Sequence, residues 1–362
     1  MTEKLKFRNP ELIRRVADKI RKLAPSKGTV KICHVCGTHE WTISHYGLRS
    51  LLPNSVDVIA GPGCPVCIVP AAEIDEAIKL ALEKGVTVCT FGDLLRVPAS
   101  QLSLQDARAR GGDVRVVYSV SDAVKMAEKE PDREFVFFAV GFETTVPSTA
   151  VEVLKKPPGN LSFLVSHRLI PPAMELLMGV GDLHIDGFIA PGHVSTIIGM
   201  KPYEVFPRAY RMPTVVAGFE PLDLLFAVSM VLHQIRNGEA KLENEYSRVV
   251  AWEGNVKAQK LIAEAFDVVN GSWRGLGKIP GSALALKKDY SEYDARSKYN
   301  VKVTQSRDLL PGCHCHLVMI GKIRPPECSL YMKACTPQTP KGACMVSVEG
   351  TCRIWARTQR HD

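Results

Sequence analysis

The sequence contains no apolar run that reaches the ~18 residues a helix needs to cross a bilayer. Its first residues, Met1-Thr2-Glu3-Lys4-Leu5-Lys6, lack the apolar stretch of a secretory signal. A cytoplasmic location with no membrane partner is the expectation. There is no Walker loop, no GxGxxG and no HExxH, so neither nucleotide-driven chemistry nor zincin-type hydrolysis is indicated. Basic residues are in excess, for a formal net charge of +8, but no block of five or six of them occurs and no aromatic platform is interleaved with them. That argues against nucleic-acid binding and for a mildly basic surface that meets an acidic partner protein.

What is present is an ordinary globular balance, 46% hydrophobic and 23% charged, with one unusual feature, eleven cysteines in 362 residues. A chain of this length exceeds the roughly 250–300 residues at which single cores stop growing, so more than one core is expected. Thiols stay reduced in a cytosolic protein, which turns the reading of the cysteines from structural disulfides to metal ligation and redox chemistry.

The first 25 residues read as one amphipathic helix, with Leu12, Ile13, Val16, Ile20 and Leu23 at helical spacing and Pro25 closing it. Strands and helices then alternate. Short β-branched runs fall at Val30 to Val35, Val56 to Ala60, Val86 to Phe91, Val114 to Tyr118, Phe135 to Val140, Leu161 to Val165, Gly187 to Ala190 and Thr214 to Ala217. Helical segments such as Ala71 to Glu83 and Pro221 to Asn237 follow most of them. The alternation predicts an α/β fold with mostly parallel sheets. Two echoes, Ile59-Ala60-Gly61-Pro62-Gly63 with Ile189-Ala190-Pro191-Gly192-His193 and Gly141-Phe142-Glu143 with Gly218-Phe219-Glu220, favour two related sheets. The expected organisation is therefore two Rossmann-like parallel-sheet subdomains, residues 26–120 and 121–224, plus a smaller helical and loop-rich iron–sulfur lobe from residues 1–25 and 225–362. Within the last part, Leu242 to Val269 reads as a longer helical region.

Six of the eleven cysteines, Cys313, Cys315, Cys328, Cys335, Cys344 and Cys352, crowd the end of the chain among prolines and glycines. No CxxC knuckle occurs there, so a zinc ribbon does not fit. Fourteen residues separate Cys313 from Cys328, six separate Cys328 from Cys335, and sixteen separate Cys335 from Cys352. Four thiolates on such loops suit a cubane iron–sulfur cluster, which is larger than a zinc ion and accepts scattered ligands. Spacing alone leaves all six as candidates: Cys315 could replace Cys313, and Cys344, in an apolar run, reads more readily as a buried inert thiol.

The other cysteine motifs sit at strand ends. Cys33-His34-Val35-Cys36-Gly37-Thr38-His39 ends the first strand, and Gly61-Pro62-Gly63-Cys64-Pro65-Val66-Cys67 ends the second. Neighbouring ends of a parallel sheet lie side by side, so the two can meet at one cleft. Cys33 alternates into the strand and reads as core; Cys36, before Gly37, reads as the exposed thiol. His39 stands three residues on, and Cys89 reads as core strand. Cys64 and Cys67 form a CxxC that can close reversibly to a disulfide, with a structural zinc site as the plainer use of the same residues. Polar groups in Phe91-Gly92-Asp93, Gly141-Phe142-Glu143-Thr144-Thr145, Ser166-His167-Arg168 and Gly192-His193 also fall at strand ends, and are expected to line that cleft.

These strings carry a resemblance. Cys36-Gly37-Thr38-His39, the GPGCPVC string at Gly61 to Cys67, Phe91-Gly92-Asp93, Gly141 to Thr145, Pro191-Gly192-His193, Cys335-Thr336-Pro337 and Gly342 to Gly350 together make the chain similar, along almost its whole length, to the hydrogenase maturation factor HypD family. The resemblance implies that Cys313, Cys328, Cys335 and Cys352 hold a [4Fe–4S] cluster and that Cys344 does not. It implies a scaffold that builds the Fe(CN)2CO unit of [NiFe]-hydrogenases with a HypC-like chaperone and cyanide from a HypE-like donor. Cys36 would hold the iron, an Fe(II) carrying cyanide and CO, beside His39. Cys64 and Cys67, counted with Cys36 as metal-site residues, would act as a dithiol relay between the cluster and the iron, in a cleft distant from the cluster. His34 departs from the acidic residue that family members often carry near the cysteine. The competing expectation is a zinc-stabilised α/β binding protein whose cysteines are all structural.

Overall fold

A computed structural model describes residues 7–358. Eight β-branched runs form strands: β1 (Val30–His34), β2 (Val56–Ala60), β3 (Thr87–Thr90), β4 (Val114–Val116), β5 (Phe135–Gly141), β6 (Leu161–His167), β7 (Gly187–Pro191) and β8 (Thr214–Ala217). β9 (Leu242–Asn244), β10 (Phe266–Trp273) and β11 (Gly277–Leu286) follow. Two sheets are wholly parallel, in the orders β2-β1-β7-β8-β9 and β4-β3-β5-β6, and β10 with β11 forms an antiparallel hairpin. The α/β expectation with two Rossmann-like parallel sheets holds.

The strand partnership corrects the chain-order division into 26–120 and 121–224. The first sheet takes β1 and β2, releases the chain for all of β3–β6, and takes it back at β7. The joint is held by Asp186, whose carboxylate accepts from Lys31 N at 2.7 Å while its own N–H donates to Lys31 O at 2.8 Å. The second sheet is thus an insertion within the first. Every central strand is apolar on both faces, as strands covered by helices on both sides must be, so the sequence pattern carries no label for which strand goes where.

Three cores result. On the outer face of the first sheet, Val16 and Ile20 of helix Pro10–Leu23 and Leu225, Val228 and Leu232 of helix Pro221–Arg236 bury Ile32, Val58 and Val215. The outer face of the second sheet is covered by helices Val120–Lys129 and Val146–Leu154 together with Phe266 and Leu284 of the hairpin. The largest core runs between the sheets and continues without a break into the cysteine-rich end of the chain, through Cys313, Cys315, Met345 and Cys352.

Two element assignments change. The helix expected over residues 1–25 spans Pro10–Leu23, capped by the Asn9 side chain, and its expected beginning at residues 1–6 lies outside the described residues. Leu242 to Val269 is not one helical region: β9 opens it, helix Val256–Ala265 occupies its middle, and β10 starts at Phe266. Phe266 and Trp273 are buried against other elements while Val268 and Val269 are exposed, so tertiary contacts override the local helical pattern. No described helix is long and apolar enough to cross a membrane.

Candidate thiol cleft and cysteine lobe

β1 and β2 run in register from Val30↔Val56 to His34↔Ala60. The pairing continues past the strands, with Gly61 N donating to His34 O at 2.7 Å and Gly37 N donating to Gly63 O at 3.1 Å. This brings the two cysteine motifs side by side. The glycines are required by the approach: a Cβ at Gly63 would collide with the backbone of Cys36, and one at Gly61 would stand 2.9 Å from the Cys33 sulfur. Cys64 and Cys67 are buried and joined in a disulfide. That bond takes both thiols out of a four-cysteine zinc site with Cys33 and Cys36.

Cys36 caps helix Gly37–His45, with extended backbone angles and its side chain at the helix start. It is half-buried rather than exposed, because the C-terminal segment lies over it. A Cβ on Gly37 would stand 2.6 Å from Glu349 Cβ. Burial pushes the Cys36 thiol up to about 11, and the Glu349 carboxylate adds to this; the N–H groups of His39 and Thr38 at the helix start act in the opposite direction. A cation at the sulfur supplies the charge compensation that burial removes, and a metal-bound thiol is deprotonated outright. Cys33 is fully buried in β1, where burial alone holds it protonated, and Cys89 is buried in β3.

His39 is fully buried. Its Nε2–H donates to Ala217 O at 3.3 Å, and its Nδ1 has no partner among the described residues. Burial holds it neutral, down at about 3, with neighbouring His34 and His193 adding to this. It therefore presents one free lone pair in the interior. Beneath it lies a network that the sequence did not announce. His34 Nε2 pairs with Glu40 Oε2 at 2.8 Å, and Glu40 also accepts from Arg49, Ser44 and Trp355 Nε1. Burial would raise the Glu40 carboxyl, but the Arg49 guanidinium and His34 overcome it and hold the group well below the usual carboxylate range. Trp355 also lies under Arg49, with the guanidinium 5.3 Å from its ring centroid. The last described helix is thereby fastened to the helix that Cys36 begins.

The remaining polar strand-end motifs do not line one cleft. Asp93 accepts from Ser347 Oγ and Val348 N, each at 3.0 Å, and so anchors the C-terminal lobe. Arg168 pairs with Glu73 at 2.6 Å, and Ser166 bonds the same carboxylate. His167 is buried against Thr149 Oγ1. His193 stacks on Phe219, with ring centroids 3.8 Å apart. Glu143 is buried beside an apolar cavity lined by Pro171, Ile198 and Phe266; one oxygen accepts from Ile170 N, the other has no partner among the described residues, and burial raises the group to about 7.

In the lobe, Cys313, Cys315, Cys328, Cys335 and Cys352 line one small cavity together with Tyr331, Gly342 and Met345. Cys344 stands behind it, its sulfur accepting from Cys352 N at 3.2 Å. A Cβ on Gly342 would reach 2.7 Å from the Cys313 sulfur and 3.3 Å from that of Cys315. Interaction between the neighbouring Cys313 and Cys315 thiols makes Cys313 the more acidic of the two. Among the described residues no three His, Cys, Asp or Glu side chains converge as a single-ion site. A thiol-only donor set, spread around a cavity whose glycine wall leaves room at the sulfurs, is chemistry that fits a polynuclear iron–sulfur group. The four cysteines named from the resemblance are in this set, and Cys315 is a fifth.

The lobe is not distant from the cleft. Glu349, three residues before Cys352, touches Gly37, and a Cβ on Gly321 would stand 2.7 Å from Ile59 at the end of β2.

The family comparison agrees with these motifs. The model of the family described as HypD, hydrogenase formation hypA family, matches residues 11–359. A hydrogenase expression/formation protein of Methanocaldococcus jannaschii is 47% identical over 353 residues, covering 96% of this chain and 98% of that one. The hydrogenase maturation factor HypD of Rhizobium leguminosarum bv. viciae is 44% identical over 362 residues, covering 97% of this chain and 94% of the relative. That of Cupriavidus necator is 43% identical over 357 residues, covering 96% and 94%. The chain belongs to the HypD family of hydrogenase maturation factors.

Proposed function

We propose that this chain is the redox-active scaffold on which the Fe(CN)2CO unit of [NiFe]-hydrogenases is assembled. The observation that carries the reading is the side-by-side placement of Cys36 and the Cys64–Cys67 pair, through Gly63, with a lobe of clustered thiols docked against both.

Cys36 holds the iron cargo. One thiolate at a helix start leaves the other positions of the metal open for cyanide, CO and a thiolate from a HypC-like chaperone, and a soft ligand suits iron carrying them. His39, on the helix that Cys36 begins, stays neutral and offers its free Nδ1 lone pair as a hydrogen-bond acceptor; held at about 3, it is too weak a base to store the proton released on loading.

Cys64 and Cys67 release cyanide. A thiocyanate carried by a HypE-like donor, R–S–C≡N, reacts with the two thiols: the S–CN bond breaks, cyanide leaves toward the iron, the carrier departs as R–SH, and the Cys64–Cys67 disulfide closes. One proton is set free, and the two electrons come from the dithiol. The bridged pair is the state after this step, and two electrons with two protons reopen it. A [4Fe–4S] cluster on Cys313, Cys328, Cys335 and Cys352 would supply those electrons one at a time.

Metal analysis of the anaerobically purified chain tests the reading. About four irons with matching acid-labile sulfide are expected from a cubane. Zinc without sulfide would overturn it and favour purely structural cysteines. Cys36→Ala is expected to keep that iron and sulfide yet fail to support hydrogenase maturation.

A further inference from the structure

The surface of the cysteine lobe carries positive charge that its own acids do not balance. Between Leu309 and Val348 the only acidic residue is Glu327, and its carboxylate accepts from Arg324 N in its own turn. Lys322 pairs with Asp182 and Arg324 with Asp57. Five further cations have no ion pair among the described residues. Arg96 donates to Pro337 O and Gln338 O, and Arg353 to Val346 O, all neutral carbonyls, while Lys333, Lys341 and Arg357 are exposed.

Backbone hydrogen bonds fix these residues close to the thiols. Lys341 N donates to the Cys335 sulfur at 3.3 Å, and Lys333 N and Cys335 N both donate to Leu330 O, at 3.1 and 2.9 Å. Arg353 follows Cys352 directly. Burial first, then the like charges of Arg357 and Arg96, lower its guanidinium from the ordinary value, and Asp93 opposes them. With Glu349 counted beside Asp93, two carboxylates stand against five cations. Cys313, Cys328, Cys335 and Cys352 are each only 6–8% exposed, so the cover between this face and their cavity is thin. Exposed apolar groups adjoin it. Val348, 49% exposed, donates its N–H to Asp93; Val116 lies 3.6 Å from a Cβ placed on Gly92; and Tyr118, two residues on, is 94% exposed. Arginine beside exposed aliphatic and tyrosine side chains is the composition of a protein interface.

We propose that this face docks an acidic one-electron carrier protein, which delivers the electrons that reopen the Cys64–Cys67 disulfide. This rests on the cluster reading given above. Each cyanide released leaves one disulfide, and a cluster that passes on its electron must be refilled. At each of two encounters one electron passes from a reduced carrier to the cluster, so two carriers are oxidised. The disulfide takes up both electrons and two protons, its S–S bond breaks, and two thiols form. Electron-transfer encounters bury little area and depend on electrostatic steering for their speed. Uncompensated charge close over the redox group provides that steering.

The test uses the full chain, purified anaerobically with iron and sulfide counted, and an acidic [2Fe–2S] ferredoxin as probe. Binding of the oxidised ferredoxin, in which no electron moves, is measured by calorimetry at low and high salt for wild type and for the triple variant Lys333→Glu, Lys341→Glu, Arg357→Glu. Wild-type affinity is expected to fall at least about tenfold with salt, and the variant to bind at least about tenfold more weakly at low salt. Carbodiimide coupling to the ferredoxin carboxylates is expected to mark Lys333 or Lys341. In stopped flow the variant should be reduced at least about tenfold more slowly by reduced ferredoxin, yet as fast as wild type by a small uncharged photoreductant. Binding that ignores both salt and the substitutions, or cross-links confined to other lysines, would overturn the proposal while leaving the cluster reading intact. A single-stranded DNA of equal charge that binds as tightly as the ferredoxin would do the same. A wild type without iron and sulfide would instead overturn the cluster reading. If the variant loses its iron, the salt dependence and the cross-links of the wild type decide.

Discussion

The two cysteine sites of this chain are built in opposite ways. Cys36, Cys64 and Cys67 stand at the ends of two registered parallel strands, and their positions follow from the ladder and from two glycines with no room for a side chain. The lobe cysteines stand on loops and short helices such as Cys315–Met319 and Ala343–Val346, with no strand between them. The first site is held by the fold. The second is held by a few anchors, namely Asp93 after β3 of the second sheet, Glu40 with Trp355, and the Glu349 contact at the helix that Cys36 begins, together with whatever the thiols bind. A rigid cleft suits a cargo that must be loaded and released; loops ordered by their own ligand suit a resident group, because binding and folding are then coupled.

Substitutions that strike one site and spare the other sharpen this contrast. The largest effect is expected from Cys328→Ala. Loss of iron and sulfide should be complete and the lobe should lose protection in hydrogen exchange, while β1 and β2 stay protected; an unchanged brown chromophore would break the contrast. Next comes Glu40→Ala, which removes a buried carboxylate shared by His34, Arg49, Ser44 and Trp355. Breaking a buried pair of this kind costs about 3–5 kcal/mol, measurable by urea unfolding, and both sites should suffer because the network joins them. The Glu40 carboxyl is held below its ordinary value, so its contribution is complete above about pH 4.3 and is lost as pH falls through the lowered folded value.

Glu143 gives the opposite sign. Burial raises it to about 7 in the folded chain. Below about pH 4.3 both folded and unfolded states are protonated and there is no penalty; stability falls as pH rises between the two values, and a penalty of about 4 kcal/mol holds above them. Glu143→Gln is expected to flatten that slope in unfolding measured from pH 4 to 8, with the cysteine lobe unaffected. A slope that survives the substitution belongs to another group. The smallest effect is expected from Asp93→Asn, which weakens the bonds to Ser347 and Val348. A loss of about 1–2 kcal/mol is anticipated for hydrogen bonds to a charged acceptor, read as faster exchange in residues 343–352 alone.

The eight central strands were legible because β-branched apolar runs bounded by glycine and proline have few other uses. Their order was not. β7 reaches β1 across five intervening strands, and the clamp that holds it, Asp186 on Lys31, looks in sequence like any polar residue before a strand. The meeting of the two cysteine motifs was legible for the opposite reason: β1 and β2 are consecutive, and adjacent parallel strands align their ends. Cys36 was read as exposed because the residues that cover it, Glu349 and its neighbours, lie more than three hundred positions away.

The most direct measurement is infrared spectroscopy of the anaerobic complex of this chain with a HypC-like chaperone, comparing wild type, Cys36→Ala and Cys328→Ala. The expected result is cyanide and CO stretches in the wild type. In Cys36→Ala those stretches should be lost while the iron–sulfide absorption persists, and in Cys328→Ala the iron–sulfide absorption should be lost. Stretches that survive in Cys36→Ala would contradict the assignment of the cargo iron to the strand-end cleft.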